Sequence, residues 1–142
     1  PRAIELATRN REALGLGDVV DIVECDLASG VSPELMGSFS VLVSNPPYIP
    51  TVVLQSEVPA EVRDHEPELA LDGGTDGLDV FRRLLELAPR ALEPGGMLAV
   101  ELFEGSLDEA AELARRQGGW ALVEVREDLT HRPRVLVAVR EG

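Results

Sequence analysis

The sequence has one cysteine, no lysine and no long hydrophobic run, and each scarcity excludes a class of protein. The single Cys25 forms neither a disulfide within the chain nor a cysteine-based zinc site. His65 and His131 lie far apart, with no metal-ligand spacing around them, so we expect no metal site. No apolar stretch approaches the roughly 20 residues of a membrane-spanning helix, and the start lacks a signal-peptide pattern. We therefore expect a cytoplasmic protein with no membrane partner.

Positive charge is also scarce. Thirteen basic residues, all of them arginine, stand against 26 acidic ones, and the net charge is −13 at pH 7. A surface that follows a phosphate backbone needs clustered positive charge, and no basic run occurs here. The composition therefore disfavours nucleic acid as a direct partner. A length of 142 residues suits one domain with its own core.

Hydrophobic patterning predicts an α/β fold in which helices and strands alternate along the chain. Helices are predicted at 1–14, 79–92 and 106–117, and strands at 19–25, 39–44, 97–102, 120–126 and 134–140. Residues 93–96 read as a turn, and Pro89 is expected to kink or break its helix. Ser106 and Glu109 match a capping box, and the last two strands are predicted to pair as an antiparallel hairpin at one end of the sheet.

Four residues, Asn45, Pro46, Pro47 and Tyr48, follow the nearly continuous apolar run 39–44. Such a run predicts a strand buried on both faces of a parallel sheet. The two prolines end the strand, because neither can donate a ladder hydrogen bond. The tetrad should therefore lie at the carboxyl end of a strand, where open α/β sheets bind their ligands.

The tetrad has the groups that methyl transfer to a planar nitrogen requires. The lone pair of an amide or of an exocyclic base amine is delocalised, so the nitrogen is a poor nucleophile. The Asn45 side-chain oxygen and the Pro46 carbonyl could accept both N–H bonds, orient the nitrogen and offset its developing charge. Tyr48 offers an aromatic face to a flat substrate group. The structural alternative is a strand-ending turn with a packing tyrosine.

Asp26 and Leu27 follow the predicted strand 19–25. An acidic residue at a strand end can accept a hydrogen bond from an adenine amine, while an apolar neighbour packs on the ring. A solvated turn aspartate fits the pattern equally well. Glu101 also lies near a strand end and could point at the site, although a solvated carboxylate is the better expectation.

The long connection 49–78 is predicted to be an ordered lid or a substrate wall. Arg63, Asp64 and Glu66 within it could contact substrate, although ion pairs that fix the loop are the better expectation.

These motifs resemble the catalytic domain of the HemK-type protein-(glutamine-N5) methyltransferases, which modify peptide-chain release factors. The tetrad alone also occurs in amino methyltransferases of DNA and RNA bases, whereas the Glu-Pro and Leu-Asp-Gly-Gly segments are more particular to this family. The resembling stretches run nearly from end to end: 1–7, 26–27, 44–50, 61–67, 70–74, 76–78, 92–96 and 132–135.

The resemblance implies a Rossmann-like class I methyltransferase sheet, S-adenosyl-L-methionine as cofactor and a release factor as protein substrate. By the same resemblance, Asn45 and the Pro46 backbone would hold the glutamine amide, and Pro47 and Tyr48 would complete the pocket. Asp26 and Leu27 would lie beside the adenine of the cofactor. Asn45 would also contact the cofactor.

The chain departs from the family pattern at its front. The family's first two strands and glycine-rich loop are not recognisable, so residues 1–142 are expected to be a partial, truncated methyltransferase domain. The absent strands would lie between strands 19–25 and 39–44, and unpaired buried backbone is costly. We therefore expect either self-association through the exposed sheet edge or a rearranged first strand, together with weak or no cofactor binding.

Two alternatives stay open. One is an amino methyltransferase acting on an exocyclic base amine of RNA or DNA, against which the acidic composition counts. The other is a non-catalytic remnant or binding module that keeps the substrate pocket, which the missing glycine-rich loop favours.

Overall fold

The computed structural model describes residues 2–56 and 67–142. They belong to two compact units, Pro1–Glu34 and Leu35–Gly142. The helices are α1 (Arg2–Ala13), α2 (Thr51–Ser56), α3 (Glu68–Leu71), α4 (Asp79–Ala91) and α5 (Leu107–Gln117), with 3-10 turns at Pro33–Leu35 and Glu104–Ser106. The strands are β1 (Phe39–Ser44), β2 (Leu92–Glu101), β3 (Trp120–Glu127) and β4 (Pro133–Arg140). None of the helices within the described ranges is long and apolar enough to cross a membrane.

The first unit contains α1 and an irregular segment. The helix forms as predicted and ends before Gly15, whose φ of +66° is left-handed. The predicted strand 19–25 is wrong, because these residues form no strand. Strand formation depends on a neighbour that supplies hydrogen bonds, and no described strand pairs with this segment. Val19 and Val23 are accordingly exposed.

The second unit is built on a four-stranded sheet in the order β1-β2-β4-β3. Strands β1 and β2 are parallel, and β4 pairs antiparallel with both β2 and β3. The predicted C-terminal hairpin is therefore confirmed at one end of the sheet. Helix α4 packs on β2, and α5 packs on β3 and β4. The core lies between these helices and one face of the sheet, where Leu98, Val100 and Leu136 are fully buried.

Strand β1 lies at the edge of this sheet, and the expectation that it is buried on both faces is wrong. The register of β1 with β2 places Val41 and Val43 on the face opposite Leu98 and Val100. These two valines are 49% and 75% exposed. The apolar run therefore marks a strand with one covered face, and self-association across its edge stays a prediction.

Helix α4 buries the predicted apolar face, which includes Phe81, Leu84 and Leu85. The expected break at Pro89 does not occur, since the helix continues to Ala91. Proline cannot donate a hydrogen bond to the carbonyl four residues earlier, which belongs to Leu85. The Gln117 side chain donates to that carbonyl instead, at 2.8 Å. A side chain from the end of α5 thus supplies the missing partner.

Two other local predictions need correction. The predicted turn at 93–96 is an irregular stretch within β2 and does not separate two elements. Phe39 of β1 pairs with Leu92, and Val41 pairs with Met97, so β2 uses five residues where β1 uses two.

Helix α5 forms as predicted, but the capping box does not, since Ser106 makes no side-chain capping bond. Its hydroxyl instead lies 3.5 Å from the Asp76 carbonyl, to which it donates.

Candidate functional site

The Asn-Pro-Pro-Tyr loop leaves the carboxyl end of β1, as predicted. Ser44 pairs with Val100 in the parallel ladder, so Asn45 and Glu101 lie side by side at the carboxyl ends of β1 and β2. Asn45 is exposed, Pro46 is buried, and Pro47 and Tyr48 are half-buried. The loop thus presents a polar side chain outward while its prolines pack inward.

A second segment, residues 70–79, holds this loop in place by backbone hydrogen bonds. The Ile49 amide donates to the Leu71 carbonyl at 3.0 Å, and the Gly73 amide donates back to the Ile49 carbonyl at 2.8 Å. The Thr51 amide then donates to the Gly74 carbonyl at 2.9 Å. These bonds form a short parallel bridge centred on Ile49 and Asp72. The Leu-Asp-Gly-Gly motif is therefore the structural partner of the tetrad.

Asp72 strengthens this pairing with its side chain. One carboxylate oxygen accepts from the Thr51 hydroxyl at 2.8 Å and from the Gly74 amide at 3.0 Å. The Gly74 amide, followed by the Thr51 hydroxyl, lowers the pKa of Asp72 below its usual range. A carboxylate stabilised in its charged form is a poor proton acceptor, so Asp72 acts as a brace between the two segments.

Two glycines let the segments approach this closely. A Cβ atom at Gly73 would lie only 2.7 Å from the Tyr48 Cα atom, and one at Gly77 would overlap the Tyr48 carbonyl oxygen. Gly77 also has a φ of +80°, which glycine adopts without steric cost. The position of the Tyr48 backbone therefore depends on the absence of side chains at residues 73 and 77.

An ion pair fixes the end of the same segment where α4 begins. The Asp76 carboxylate accepts from both terminal nitrogens of Arg82, one at 3.0 Å, and from the Leu78 amide at 3.0 Å. The Arg82 hydrogen bond is the main reason that the pKa of Asp76 falls to about 2. The segment 70–79 is thus anchored to the loop after β1 at one end and to α4 at the other.

The tetrad and the second segment together enclose a pocket of about 340 Å³. Its walls are mostly apolar, and the lining residues with polar side chains are Asn45 and Tyr48. The lining residues are Asn45, Pro46, Tyr48, Ile49, Ala70 and Leu71. A small planar amide with an apolar stem would suit such a lining.

Tyr48 is held at its hydroxyl by Glu101, to which it donates a long hydrogen bond of 3.4 Å. Burial raises the pKa of the Tyr48 phenol above its ordinary value, and the Glu101 carboxylate raises it further. The Arg134 guanidinium acts in the opposite direction. The phenol therefore stays protonated and donates its hydrogen at neutral pH.

The predicted site residues fall into two groups. The structure brings Asn45, Pro46 and Tyr48 together around one pocket, with Pro47 in the same loop. Asp26 and Leu27 belong to the other compact unit and lie in a turn closed by the Ser29 amide, which donates to the Asp26 carbonyl at 3.0 Å. The strand end on which their adenine role was argued is not formed. Their role at the cofactor stays a prediction.

Other residues either lie outside the described ranges or escaped the sequence reasoning. Arg63, Asp64 and Glu66 lie outside the described residues, as does His65. The expected solvated carboxylate at Glu101 is instead half-buried and accepts from Tyr48, a contact that was not predicted because 53 residues separate the two in the chain. Ala70 and Leu71, which line the pocket, belong to the connection 49–78 that was predicted to be a lid or a substrate wall, although neither residue was singled out as part of a wall.

Comparison with known proteins gives relatives over the whole length of the chain. No family model matches. The release factor glutamine methyltransferase of Deinococcus radiodurans is 47% identical over 143 residues, covering 100% of this chain and 48% of the relative. That of Thermosynechococcus vestitus is 43% identical, covering 96% of this chain and 46% of the relative, and that of Clostridium acetobutylicum is 38% identical, covering 100% and 49%. The chain thus spans about half the length of these curated relatives.

Solved structures support the fold. A methyltransferase from Pyrococcus furiosus matches with a TM-score of 0.57 at 21% identity, over 98% of this chain and 58% of that one. The Mtq2–Trm112 complex of E. cuniculi matches with a TM-score of 0.52 at 23% identity, over 94% of this chain and 68% of that one. The fold is therefore that of methyltransferases. The identity of 38–47% to relatives along the chain shows, independently of these structures, that the sequence belongs to the release factor glutamine methyltransferase family.

Proposed function

We propose that this chain carries the amide-binding part of an enzyme that methylates N5 of a glutamine side chain in a peptide-chain release factor, with S-adenosyl-L-methionine as methyl donor. The main support is the pocket that Asn45, Pro46 and Tyr48 form with Ala70 and Leu71. It joins the tetrad, which several amino methyltransferases have, to the segment that is more particular to glutamine methylation. The named activity of the relatives agrees with this proposal.

The chemical task of the pocket is to make an amide nitrogen reactive. In the proposed mechanism, the Asn45 side-chain oxygen and the Pro46 carbonyl accept the two N–H bonds of the substrate amide. Both acceptors orient the nitrogen lone pair and stabilise the positive charge that develops on the NH₂ group during attack. The Tyr48 ring packs against the plane of the amide and excludes water. Preorganisation of these groups by the segment 70–79 lowers the cost of ordering the site.

The methyl donor requires a separate binding surface. S-adenosyl-L-methionine supplies a methyl group activated by a positively charged sulfur. The residues that we assign to it are Asp26, Leu27 and Asn45, and their chemistry suits an adenine amine, an adenine ring and a polar cofactor group. Asp26 is exposed and lies on a turn of the first unit, and Leu27 has a left-handed φ of +52°. We further propose that the reaction takes place in the cytoplasm.

A choice among methyl acceptors tests the proposal. The protein would be a chimera of the Deinococcus radiodurans relative in which this chain replaces the matched residues. It would receive S-adenosyl-L-methionine with a labelled methyl group and one of three acceptors: a release factor with a Gly-Gly-Gln loop, the same factor with that glutamine changed to glutamate, or an RNA or DNA duplex.

We expect label only in the factor with the intact glutamine. Label in the duplex would instead support a base-amine methyltransferase and contradict the proposal. The unaltered relative is the positive control. Activity of that relative without activity of the chimera would also contradict the proposal and favour a binding module.

A further inference from the structure

We propose that Glu101 is a positioning residue of the amide pocket: it holds the Tyr48 ring in place by accepting the hydrogen of its hydroxyl group. The inference rests on the proposed function only for the identity of the substrate group that the ring faces. The contact itself is a property of this chain and is testable without substrate or cofactor.

Sheet topology explains why these two residues meet. Strands β1 and β2 are parallel neighbours, so the loop after β1 and the last residue of β2 both lie at the carboxyl end of this strand pair. Glu101 is that last residue, and it is half-buried. Its carboxylate oxygen lies 3.4 Å from the Tyr48 hydroxyl. A loop that turned differently after Ser44 would carry the ring away from this carboxylate.

The ring is restrained at both of its ends. At the backbone end, Gly73 and Gly77 lie against the Tyr48 main chain. At the hydroxyl end, Glu101 accepts the hydrogen bond. An aromatic side chain has only two rotatable side-chain bonds, so these restraints together leave the ring little freedom. A fixed ring presents the same flat surface to each incoming amide, which is the function that we assign to Glu101.

Arg134 completes the charge arrangement around the ring. Its guanidinium is close enough to Tyr48 to lower the pKa of the phenol, opposing Glu101. Its backbone carbonyl accepts from the Leu102 amide at 3.0 Å, which keeps the start of β4 beside the end of β2. The Asp128 carboxylate lies 4.0 Å from the Arg134 side chain. The Tyr48 phenol therefore lies under the opposed influence of the Glu101 carboxylate and the Arg134 guanidinium.

Tyr48 is the only tyrosine of the chain, so its ionisation can be followed without assignment. The test is a spectrophotometric titration of the phenolate absorbance at alkaline pH, on the whole chain and on Glu101→Gln. Glutamine keeps the shape of the side chain and removes its charge. We expect this variant to lower the pKa of Tyr48 toward the ordinary value, because the negative charge that opposes phenolate formation is gone.

A matched control is available at the opposite end of the same two strands, near the start of β1 and of β2. The Glu93 carboxylate accepts a hydrogen bond from the Ser40 hydroxyl at 2.6 Å, so Glu93→Gln makes the same chemical change far along the strands from Tyr48. We expect this variant to leave the Tyr48 titration unchanged. Equal titrations of Glu101→Gln and the unaltered chain would overturn the inference, as would a shift of the same size in Glu93→Gln.

Glu101→Asp keeps the test decisive if the glutamine variant does not fold. Aspartate retains the charge but is one methylene shorter, so the hydroxyl loses its hydrogen bond while most of the electrostatic effect stays. We expect a Tyr48 pKa between those of the unaltered chain and an uncharged variant. A Tyr48 titration in Glu101→Asp that matches the unaltered chain would show that the hydrogen bond is not made and would contradict the positioning role.

Discussion

The backbone of Tyr48 packs directly on Gly77, so closely that a Cβ atom at residue 77 would overlap the Tyr48 carbonyl oxygen. The two residues belong to the two segments that enclose the amide pocket. Their contact adds main-chain packing to the hydrogen bonds that link the Asn-Pro-Pro-Tyr loop to the segment 70–79. The shape of the pocket therefore depends on this glycine as well as on the residues that line it.

Gly77→Ala should destabilise the protein by about 2–4 kcal/mol. About 1–2 kcal/mol comes from a left-handed φ in a residue with a Cβ atom, and the overlap with Tyr48 adds to it. The control is Gly95→Ala, since Gly95 has the similar φ of +79° but no atom within 4 Å of a Cβ. It should lose only the conformational part. Urea unfolding measures both losses, and equal losses would contradict the close packing.

The ion pair of Asp76 and Arg82 should contribute to stability in a pH-dependent way. The pKa of Asp76 in the folded protein, about 2, lies below its ordinary value of 3.8. The stabilisation by the ion pair is therefore present above about pH 4 and is lost as the pH falls through about 2. Both side chains are more than one third exposed, at 35% and 38%, so we expect less than about 1 kcal/mol at neutral pH.

Thermal unfolding of the unaltered chain and of Asp76→Asn, from pH 7 down to pH 2, checks this expectation. The difference in stability between them should shrink as the pH falls. Glu112→Gln is the control, because Glu112 pairs with Arg115 at 3.8 Å on an exposed face of α5. A difference for Asp76→Asn that does not depend on pH would show that the charge of Asp76 is not responsible.

Gln117 should matter because of the proline in α4. Gln117→Met removes the donor to the Leu85 carbonyl, and an unpaired buried carbonyl costs about 1–3 kcal/mol. In a Pro89→Ala background, the amide of residue 89 can donate to that carbonyl, so the same substitution should cost less. Unfolding followed by the fluorescence of Trp120, the only tryptophan, measures both costs. Equal costs in the two backgrounds would contradict this link.

Cofactor binding by the chain itself should be weak. The segment that carries Asp26 and Leu27 forms no strand, and Asp26 lies exposed on a turn. Binding would have to order this segment, and that ordering reduces the affinity. Calorimetric titration with S-adenosyl-L-methionine should show no saturation at micromolar concentrations. A micromolar dissociation constant would mean that the first unit already forms a cofactor site.

The sequence predicted those elements whose signals are local. The apolar run before Asn45, the apolar face of α4 and the two late strands each carry their own pattern. Residues 19–25 have a similar strand pattern but form no strand, because a strand also needs a partner. The break expected at Pro89 does not occur for a related reason: Gln117, which compensates for the proline, lies on another helix. Local patterns predict what a segment can form, and pairing decides what it does form.

The candidate site divides in the same way. Asn45, Pro46 and Tyr48 could be named because a strand end, two prolines and an aromatic ring occur consecutively. The contact of Tyr48 with Glu101 could not, since it depends on which strands are neighbours in the sheet. The close approach at Gly73 and Gly77 was likewise invisible without the fold, although the motif itself was recognised.

The central claim is that the Asn45 side-chain oxygen accepts a hydrogen bond from the substrate amide. The rate of methyl transfer by Asn45→Ala, measured in the chimera described above, tests this claim most directly. We predict a fall in kcat of about 10²–10³-fold on a release factor, comparable to the loss of one preorganised hydrogen-bonding group in other active sites. Asn10→Ala, at the only other asparagine and on the exposed side of α1, should leave kcat unchanged. An Asn45→Ala variant that methylates the glutamine at an undiminished rate would contradict the account.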